Sequence, residues 1–280
     1  MSEKPPLKVV LLYSGGHFGS TILLNHLAKK NKHWQVVGIV RSFLIPAKSI
    51  TQLNKRMGKA GWKFVFFMIW QVVVQGFAFL CSLLSTGLYK RMKPGWVVSI
   101  VKNIPTHNCF SINDVRTVQF IRNLEPDLIV SAYFSQILKK PVLDSAKIGC
   151  INVHPGYLPM QRGAMNYFWV LANDKPYAGV SVHWMDEGID TGKVLSRKAF
   201  PIKPDDTQHK IKIYTAIIGL TLLKRALKKI YNEGKVEGEA LDHTGSEYFA
   251  TPDKAAFDRY FAKRRYFRFR DVFKFVFKKI

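Results

Sequence analysis

The apolar run Val9-Val10-Leu11-Leu12-Tyr13, entered from Lys8, stops abruptly in Ser14-Gly15-Gly16-His17-Phe18-Gly19-Ser20. An apolar stretch this short, without polar alternation, fits a strand buried on both faces, as in a parallel sheet. Thr21 to Lys30 then places Ile22, Leu23, His26 and Leu27 on one side of a helix, and Trp34 to Val40 supplies a second strand. Strand, glycine turn, helix, strand is the opening of a doubly wound, Rossmann-like α/β sheet. The alternation resumes with a helix over Val115 to Leu124, a strand over Asp127 to Ala132, a short helix over Pro141 to Ala146 and a strand over Cys150 to Val153. The spacing of Gly15, Gly16 and Gly19 departs from G-x-G-x-x-G, so a dinucleotide is not implied. The turn opens a helix, and its N–H groups either hold a phosphate or form a tight turn without a ligand.

Residues 43–105 form an insertion outside this alternation. Phe64 to Tyr89 runs for 26 residues without a charge, enough at about 1.5 Å per residue to cross a bilayer as a helix. One crossing would, however, put the first two strands and the rest of the same sheet on opposite sides. The flanks are basic at both ends, with Lys55, Arg56, Lys59 and Lys63 before and Lys90, Arg91 and Lys93 after, so flanking charge gives no orientation. Gln71, Gln75, Gly76 and Ser85-Thr86-Gly87 suggest a broken or hairpin-like element lying in a membrane interface. A helix buried in the protein and a dimer contact remain open alternatives.

Thr207 to Asn232 reads as one long helix with Ile211, Tyr214, Ile217, Ile218 and Leu222 on its apolar face and Gly234 as its stop. The division expected is a domain over 1–234 and an extension over 235–280. Lys263 to Ile280 ends the chain with Phe269, Phe273, Val276, Phe277 and Ile280 on one helical face and basic residues largely elsewhere, the pattern of an amphipathic helix on an anionic membrane. A basic helix packed on the body is the alternative. The whole chain carries 43 Lys and Arg against 19 Asp and Glu, a net +24, so polyanions are the partners to expect. Nucleic acid would use the same charges, but no RNA-binding signature is visible. Cys81, Cys109 and Cys150 form no CxxC and have no His at ligand spacing, so no metal site or disulfide framework is expected and a reducing, cytoplasmic compartment fits. The N-terminal apolar run is too short for a signal peptide.

The chemistry lies in two stretches. Asn152 and His154 end a buried strand on the same side of it, and Pro155 to Gly163 forms the Pro/Gly-rich loop that follows. Gly179 to Trp184 reads as another strand, and Met185 to Gly192 as an acidic loop containing Glu187, Gly188 and Asp190. An amide to polarise a carbonyl oxygen, an imidazole to exchange a proton and a carboxylate to orient it amount to acyl-transfer equipment. No GxSxG elbow supplies a nucleophile, which disfavours an acyl-enzyme.

Asn152 to Gly163, read as Asn-x-His-Pro-x-x-Leu-Pro-x-x-Arg-Gly, with His183 followed seven residues later by Asp190-Thr191-Gly192, resembles the formyltetrahydrofolate-dependent formyltransferases. That family includes glycinamide ribonucleotide transformylase, methionyl-tRNA formyltransferase and the sugar N-formyltransferases. The resemblance covers Lys8 to Val40 and Val115 to Ile230 and implies 10-formyltetrahydrofolate as co-substrate, with Asn152, His154 and Asp190 as the catalytic triplet. In that reading Asn152 donates to the formyl oxygen, His154, held by Asp190 in the protonated or proton-donating form, gives a second contact, and Asp190, directly or through water, takes the amine proton. It further implies a folate slot between Tyr133, Phe134, Gln136, Ile137 and Leu138 on one side and Met185, Glu187 and Gly188 on the other. Gly15, Gly16, His17 and Ser20 would face the acceptor, with His183 either beside them or a satisfied core histidine. Relatives acting on tRNA carry a C-terminal barrel, for which the residues after Gly234 are too few. The acceptor expected is therefore a small-molecule primary amine, a phosphorylated, nucleotide-linked or lipid-linked amino sugar, and the protein is expected at the inner face of the plasma membrane. A methionyl-tRNA formyltransferase without the barrel, a non-catalytic membrane- or RNA-binding protein on the same fold, and a homodimer stay open.

Overall fold

Val9 to Leu12 have no exposed surface because β1 (Leu7–Ser14) occupies the middle of a seven-stranded sheet. The computed structural model describes residues 4–42, 58, 61–84, 92–265 and 271. Its strands β2 (Trp34–Ser42), β3 (Thr106–Cys109), β4 (Leu128–Ala132), β5 (Gly149–His154), β7 (Tyr177–Trp184) and β8 (Val194–Pro201) lie in the order β3-β2-β1-β4-β5-β7-β8. The first five positions are parallel, and β7 runs antiparallel to both β5 and β8. The fold is thus α/β with a mostly parallel sheet, as the alternation predicts. The chain crosses from one side of β1 to the other between β3 and β4, and ligands of open α/β sheets bind at the carboxyl ends of the strands flanking such a switch.

Both faces of the sheet are covered. Helices α1 (Phe18–Leu27) and α7 (Gln208–Glu233) bury Leu23, Leu24, Leu27, Leu220, Leu223 and Leu227 against Val9, Leu11, Val130 and Val180. Helices α4 (Val115–Asn123) and α5 (Lys140–Leu143) bury Val118, Ile121 and Val142 against Val10, Leu12 and Ile129. Alternate residues of β1 therefore enter different cores, which is why its sequence is continuously apolar.

The insertion holds α2 (Trp62–Leu84) and α3 (Gly95–Lys102). Over the described residues the expected break is corrected: α2 runs unbroken through Gln71, Gln75 and Gly76, while Ser85-Thr86-Gly87 lies outside the described residues. Gly76 is exposed and has open space around it, so it breaks nothing, and the Gln71 side chain accepts a hydrogen bond from Lys212 of α7. One face of α2 packs onto the body through Phe64, Phe67, Val74 and Ala78, while Trp62, Phe66, Ile69, Val73, Leu80 and Leu83 stay exposed. It is the one helix among the described residues long and apolar enough to cross a membrane.

Beyond Gly234 the described chain returns to the body. β6 (Gln161–Gly163) and β9 (Glu247–Phe249) form a short parallel pair, and α8 (Lys254–Ala262) inserts Phe257 and Tyr260 against Phe168 of α6 (Asn166–Ala172) and Phe67 of α2. Residues 235–265 accordingly share a core with the rest of the chain. The amphipathic pattern expected over Lys263 to Ile280 lies mostly outside the described residues.

Candidate active site

Asn152 and His183 are direct cross-strand partners on β5 and β7. The antiparallel pairing is what joins them, since facing residues of such a pair stand about 5 Å apart. Asn152 Nδ2 lies 3.3 Å from His183 Nε2, and His183 Nδ1 lies 2.7 Å from the Trp184 carbonyl. The His183 ring thus lies between the Asn152 amide and the Trp184 carbonyl.

Asp190 enters from the loop after β7. It has a left-handed backbone (φ 54°), which Asp tolerates better than most residues. Two features of the neighbouring loop impose the turn. Arg162 donates from Nε and Nη2 to the Ile189 carbonyl at 3.1 and 2.9 Å, and the Gly163 N–H donates to Asp190 Oδ2 at 2.9 Å. Gly163 has φ 92°, and a Cβ there would stand 2.3 Å from the Phe249 carbonyl oxygen. At Gly192 a Cβ would stand 1.9 Å from the Trp184 carbonyl oxygen, so the loop can close over β7 only with glycine at that position.

The turn aims Asp190 Oδ1 at two imidazoles, 3.3 Å from His154 Nδ1 and 3.7 Å from His183 Nε2. Burial alone would raise the Asp190 carboxyl. The His154 and His183 rings and the Gly163 N–H override it and hold the group well below the usual carboxylate range, so Asp190 is ionised. His154 is only 3% exposed. Burial is the strongest influence on its ring and lowers its pKa, against the opposing pull of Asp190 and the Gln161 carbonyl. Desolvation thus outweighs the carboxylate, and of the protonated and proton-donating forms expected for His154 it favours the second. Nε2 stands 2.7 Å from the Gln161 carbonyl and Nδ1 3.3 Å from Asp190 Oδ1. The surroundings hold two acceptors for a ring with one proton, so a second proton gains a partner at the cost of charging a buried ring.

The remaining residues fall into two groups. On the folate side Leu138 is buried and Phe134 and Met185 are partly buried in the second core. Gln136 braces the segment after β3, accepting from Ile112 N at 2.7 Å and donating to the Phe110 carbonyl. Ile137, Glu187 and Gly188 are exposed. Tyr133 turns inward, its ring stacked on His17 with centroids 5.1 Å apart, and so backs the site rather than walling an open slot. On the acceptor side Gly16 is exposed, Gly15 and Ser20 are buried, and Ser20 Oγ donates to the Ala132 carbonyl. His17 caps α1 and contacts the Tyr167 hydroxyl at 3.1 Å. Burial, with the Lys212 charge adding to it, lowers the His17 pKa to about 3. Sequence reasoning missed Gln161, Asn166, whose Nδ2 is 3.2 Å from His154 Nε2, Tyr167 and Lys212. Only spacing from Gly163 could have pointed to the first three. Among the described residues no group of His, Cys, Asp and Glu could hold a metal.

The chain is 34% identical over 164 residues to a methionyl-tRNA formyltransferase of Clostridioides difficile, an alignment covering 59% of this chain and 53% of that protein. It thus spans about half the length of such relatives. Its fold superposes on glycinamide ribonucleotide transformylase 1 of Symbiobacterium toebii with a TM-score of 0.57 at 13% identity, covering 84% of this chain and 95% of that one. An N-formyltransferase of Helicobacter canadensis, solved with folinic acid and dTDP-3-aminofucose, gives the same TM-score, 0.57, at 17% identity over 87% of this chain and 70% of its own. Residues 86–227 match the formyl transferase family model, a span that holds every member of the Asn152–His154–His183–Asp190 cluster, and the chain belongs to that family.

Proposed function

We propose that this protein is an N-formyltransferase that moves a formyl group from 10-formyltetrahydrofolate to a primary amine by direct attack. The observation that carries the reading is the convergence of the Asn152 amide, the His154 ring and the ionised Asp190 carboxylate around one point at the end of β5. Asn152 keeps an N–H beyond the one directed at His183, and it donates to the formyl oxygen as that oxygen becomes anionic. The amine nitrogen bonds to the formyl carbon, and its proton passes to the Asp190–His154 pair. The carbon–nitrogen bond to folate then breaks and the pair returns the proton to the departing folate nitrogen. Neither ring nitrogen of His154 faces open space, so its role runs through Asp190.

The acceptor in this proposal is a phosphorylated, nucleotide-linked or lipid-linked amino sugar. Supporting it are the net +24 charge, the Gly16 turn beside His17, and the nucleotide-linked amino sugar bound by the Helicobacter canadensis relative. The sequence likeness to methionyl-tRNA formyltransferase supports methionyl-tRNA as the competing acceptor. We further read the exposed face of α2 as a peripheral membrane contact. Trp62, Phe66, Ile69, Val73, Leu80 and Leu83 repeat at helical spacing with no charge among them, an apolar stripe that a water-soluble surface does not ordinarily present.

Production of tetrahydrofolate from 10-formyltetrahydrofolate, followed with dTDP-amino sugars and with methionyl-tRNA, tests the activity. Transfer abolished by Asp190→Ala supports the reading; turnover indifferent to that substitution overturns it.

A further inference from the structure

Asn166, the first residue of α6, is 1% exposed, and its amide is placed there at a cost. The chain enters the helix through Met165 in the left-handed region (φ 56°), where a bulky side chain rarely sits. Asn166 Oδ1 is buried with no hydrogen-bond partner among the described residues, a loss that an apolar side chain of the same shape would avoid. Packing therefore gives no reason for an amide at this position.

What the amide reaches is the His154 ring. Its Nδ2 lies 3.1 Å from the Gly163 carbonyl, which can only accept, so the nitrogen end of the amide is the end that faces this way. The same Nδ2 lies 3.2 Å from His154 Nε2. The Gln161 carbonyl, 2.7 Å from that ring nitrogen, is held in place by its own side chain, which accepts from the Tyr157 N–H at 3.0 Å and donates to the Tyr177 carbonyl at 3.2 Å. Glycine at 156 admits the carbonyl, since a Cβ there would stand 2.3 Å from it and 2.6 Å from Nε2. His154 Nε2 thus faces one group that only donates and one that only accepts, while Nδ1 faces the ionised Asp190 carboxylate at 3.3 Å.

A neutral ring has one proton for these three neighbours. Carried on Nδ1, the proton bonds to the carboxylate and leaves Nε2 to accept from Asn166, and only the Gln161 carbonyl goes unserved. Carried on Nε2, it serves Gln161 alone, turns a lone pair toward the carboxylate and sets one N–H against another at Asn166. The first arrangement makes two favourable contacts, one of them charge-assisted, where the second makes one.

We propose that Asn166 is a positioning residue that fixes the His154 proton on Nδ1, facing Asp190, by donating to Nε2. The inference rests on the proposed formyl transfer for its consequence: Nδ1–H keeps the carboxylate ionised and aimed, so Asp190 takes the proton of the attacking amine and passes it to the departing folate nitrogen while His154 keeps its own. A doubly protonated ring would serve both acceptors but press its Nε2–H against the Asn166 donor, so Asn166 also opposes charging. The other groups acting on the ring are Asp190 and the Gln161 carbonyl, which raise its pKa, and His183 and Arg162, which lower it together with burial, the leading influence.

Long-range 1H–15N correlation spectra of the full chain with 15N-labelled histidine, recorded at neutral pH and assigned with His154→Gln, tell a bare ring nitrogen from a protonated one. The wild type shows the bare nitrogen at Nε2. Asn166→Leu, close to the same shape but without a donor, moves the proton to Nε2, raises the His154 pKa, and lowers kcat by about tenfold with KM for the folate unchanged. Thermal unfolding checks that the variant is folded; should it not fold, the wild-type spectrum decides by itself. A bare Nδ1 in the wild type, or a proton that stays on Nδ1 in Asn166→Leu, overturns the proposal. The spectra need no turnover, so the expected spectra from a protein that transfers formyl to no amine would sink the formyltransferase reading and leave the hold of Asn166 on the ring standing.

Discussion

At the scale of single residues, the proposed reaction separates a group that would touch the reacting oxygen, Asn152, from groups that would manage a proton, His154 and Asp190. Removing the Asn152 donor with Asn152→Ala should lower kcat by about 10²- to 10³-fold, the range for loss of one oxyanion donor, with little change in folate affinity. Steady-state kinetics checks this, and a rise in KM alone would assign Asn152 to binding instead. Asp190→Asn makes a different prediction. The carboxylate is one of the two influences that raise the His154 pKa against burial, so its removal should push the ring further below its ordinary 6.5. Imidazole NMR of His154 in the two proteins reads the direction, and an upward movement would contradict the arrangement described. The candidate positions were legible in the chain, because Asn152 and His154 close one buried strand and Asp190 falls in the acidic loop after the strand that holds His183. The lowered pKa of His154 was not, since it depends on burial, which leaves no mark in residue spacing.

Among the elements, α2 shows most plainly where sequence reading stops. An uncharged stretch is equally a membrane span, a core helix or an interfacial helix, and only packing distinguishes them. Gln71 and Gly76 read as interruptions until the buried Lys212 explains the first and the open surface the second. β3, α6 and α8 are short or weakly periodic and draw their stability from contacts distant in sequence, so local pattern did not reveal them. The two faces of α2 should respond oppositely to substitution. Phe67→Ala, on the face packed against Phe168, Phe257 and Tyr260, should destabilise the protein by about 3 to 5 kcal/mol in urea unfolding. Ile69→Ala, on the exposed face, should stay within about 0.5 kcal/mol. Replacing Ile69, Val73 and Leu80 together by Glu should abolish pelleting with anionic vesicles while leaving the urea midpoint nearly unchanged; undiminished pelleting would remove the membrane reading.

For the whole molecule, the buried bases act in concert on stability. His17, His209, His154 and Lys212 all have folded-state values below their ordinary ones, and in each case burial is the leading cause. A base whose pKa is depressed by folding binds its proton first in the unfolded chain, so the unfolded state gains as pH falls and stability declines. The window for Lys212 runs from 10.5 down to about 7, and that for His17 and His209 from 6.5 down to about 3. Asp190, held below the carboxylate range, has the same sign at still lower pH. Unfolding free energy should therefore fall on acidification in two stages, with a flatter interval between about 7 and 6.5. Lys212→Met should remove the alkaline stage alone and stabilise the protein at neutral pH by on the order of a few kcal/mol. Urea unfolding of both proteins across the full pH range measures the difference. Parallel curves displaced by a constant amount would mean that Lys212 is already solvated or paired in the folded chain, and would count equally against the cost assigned to its burial.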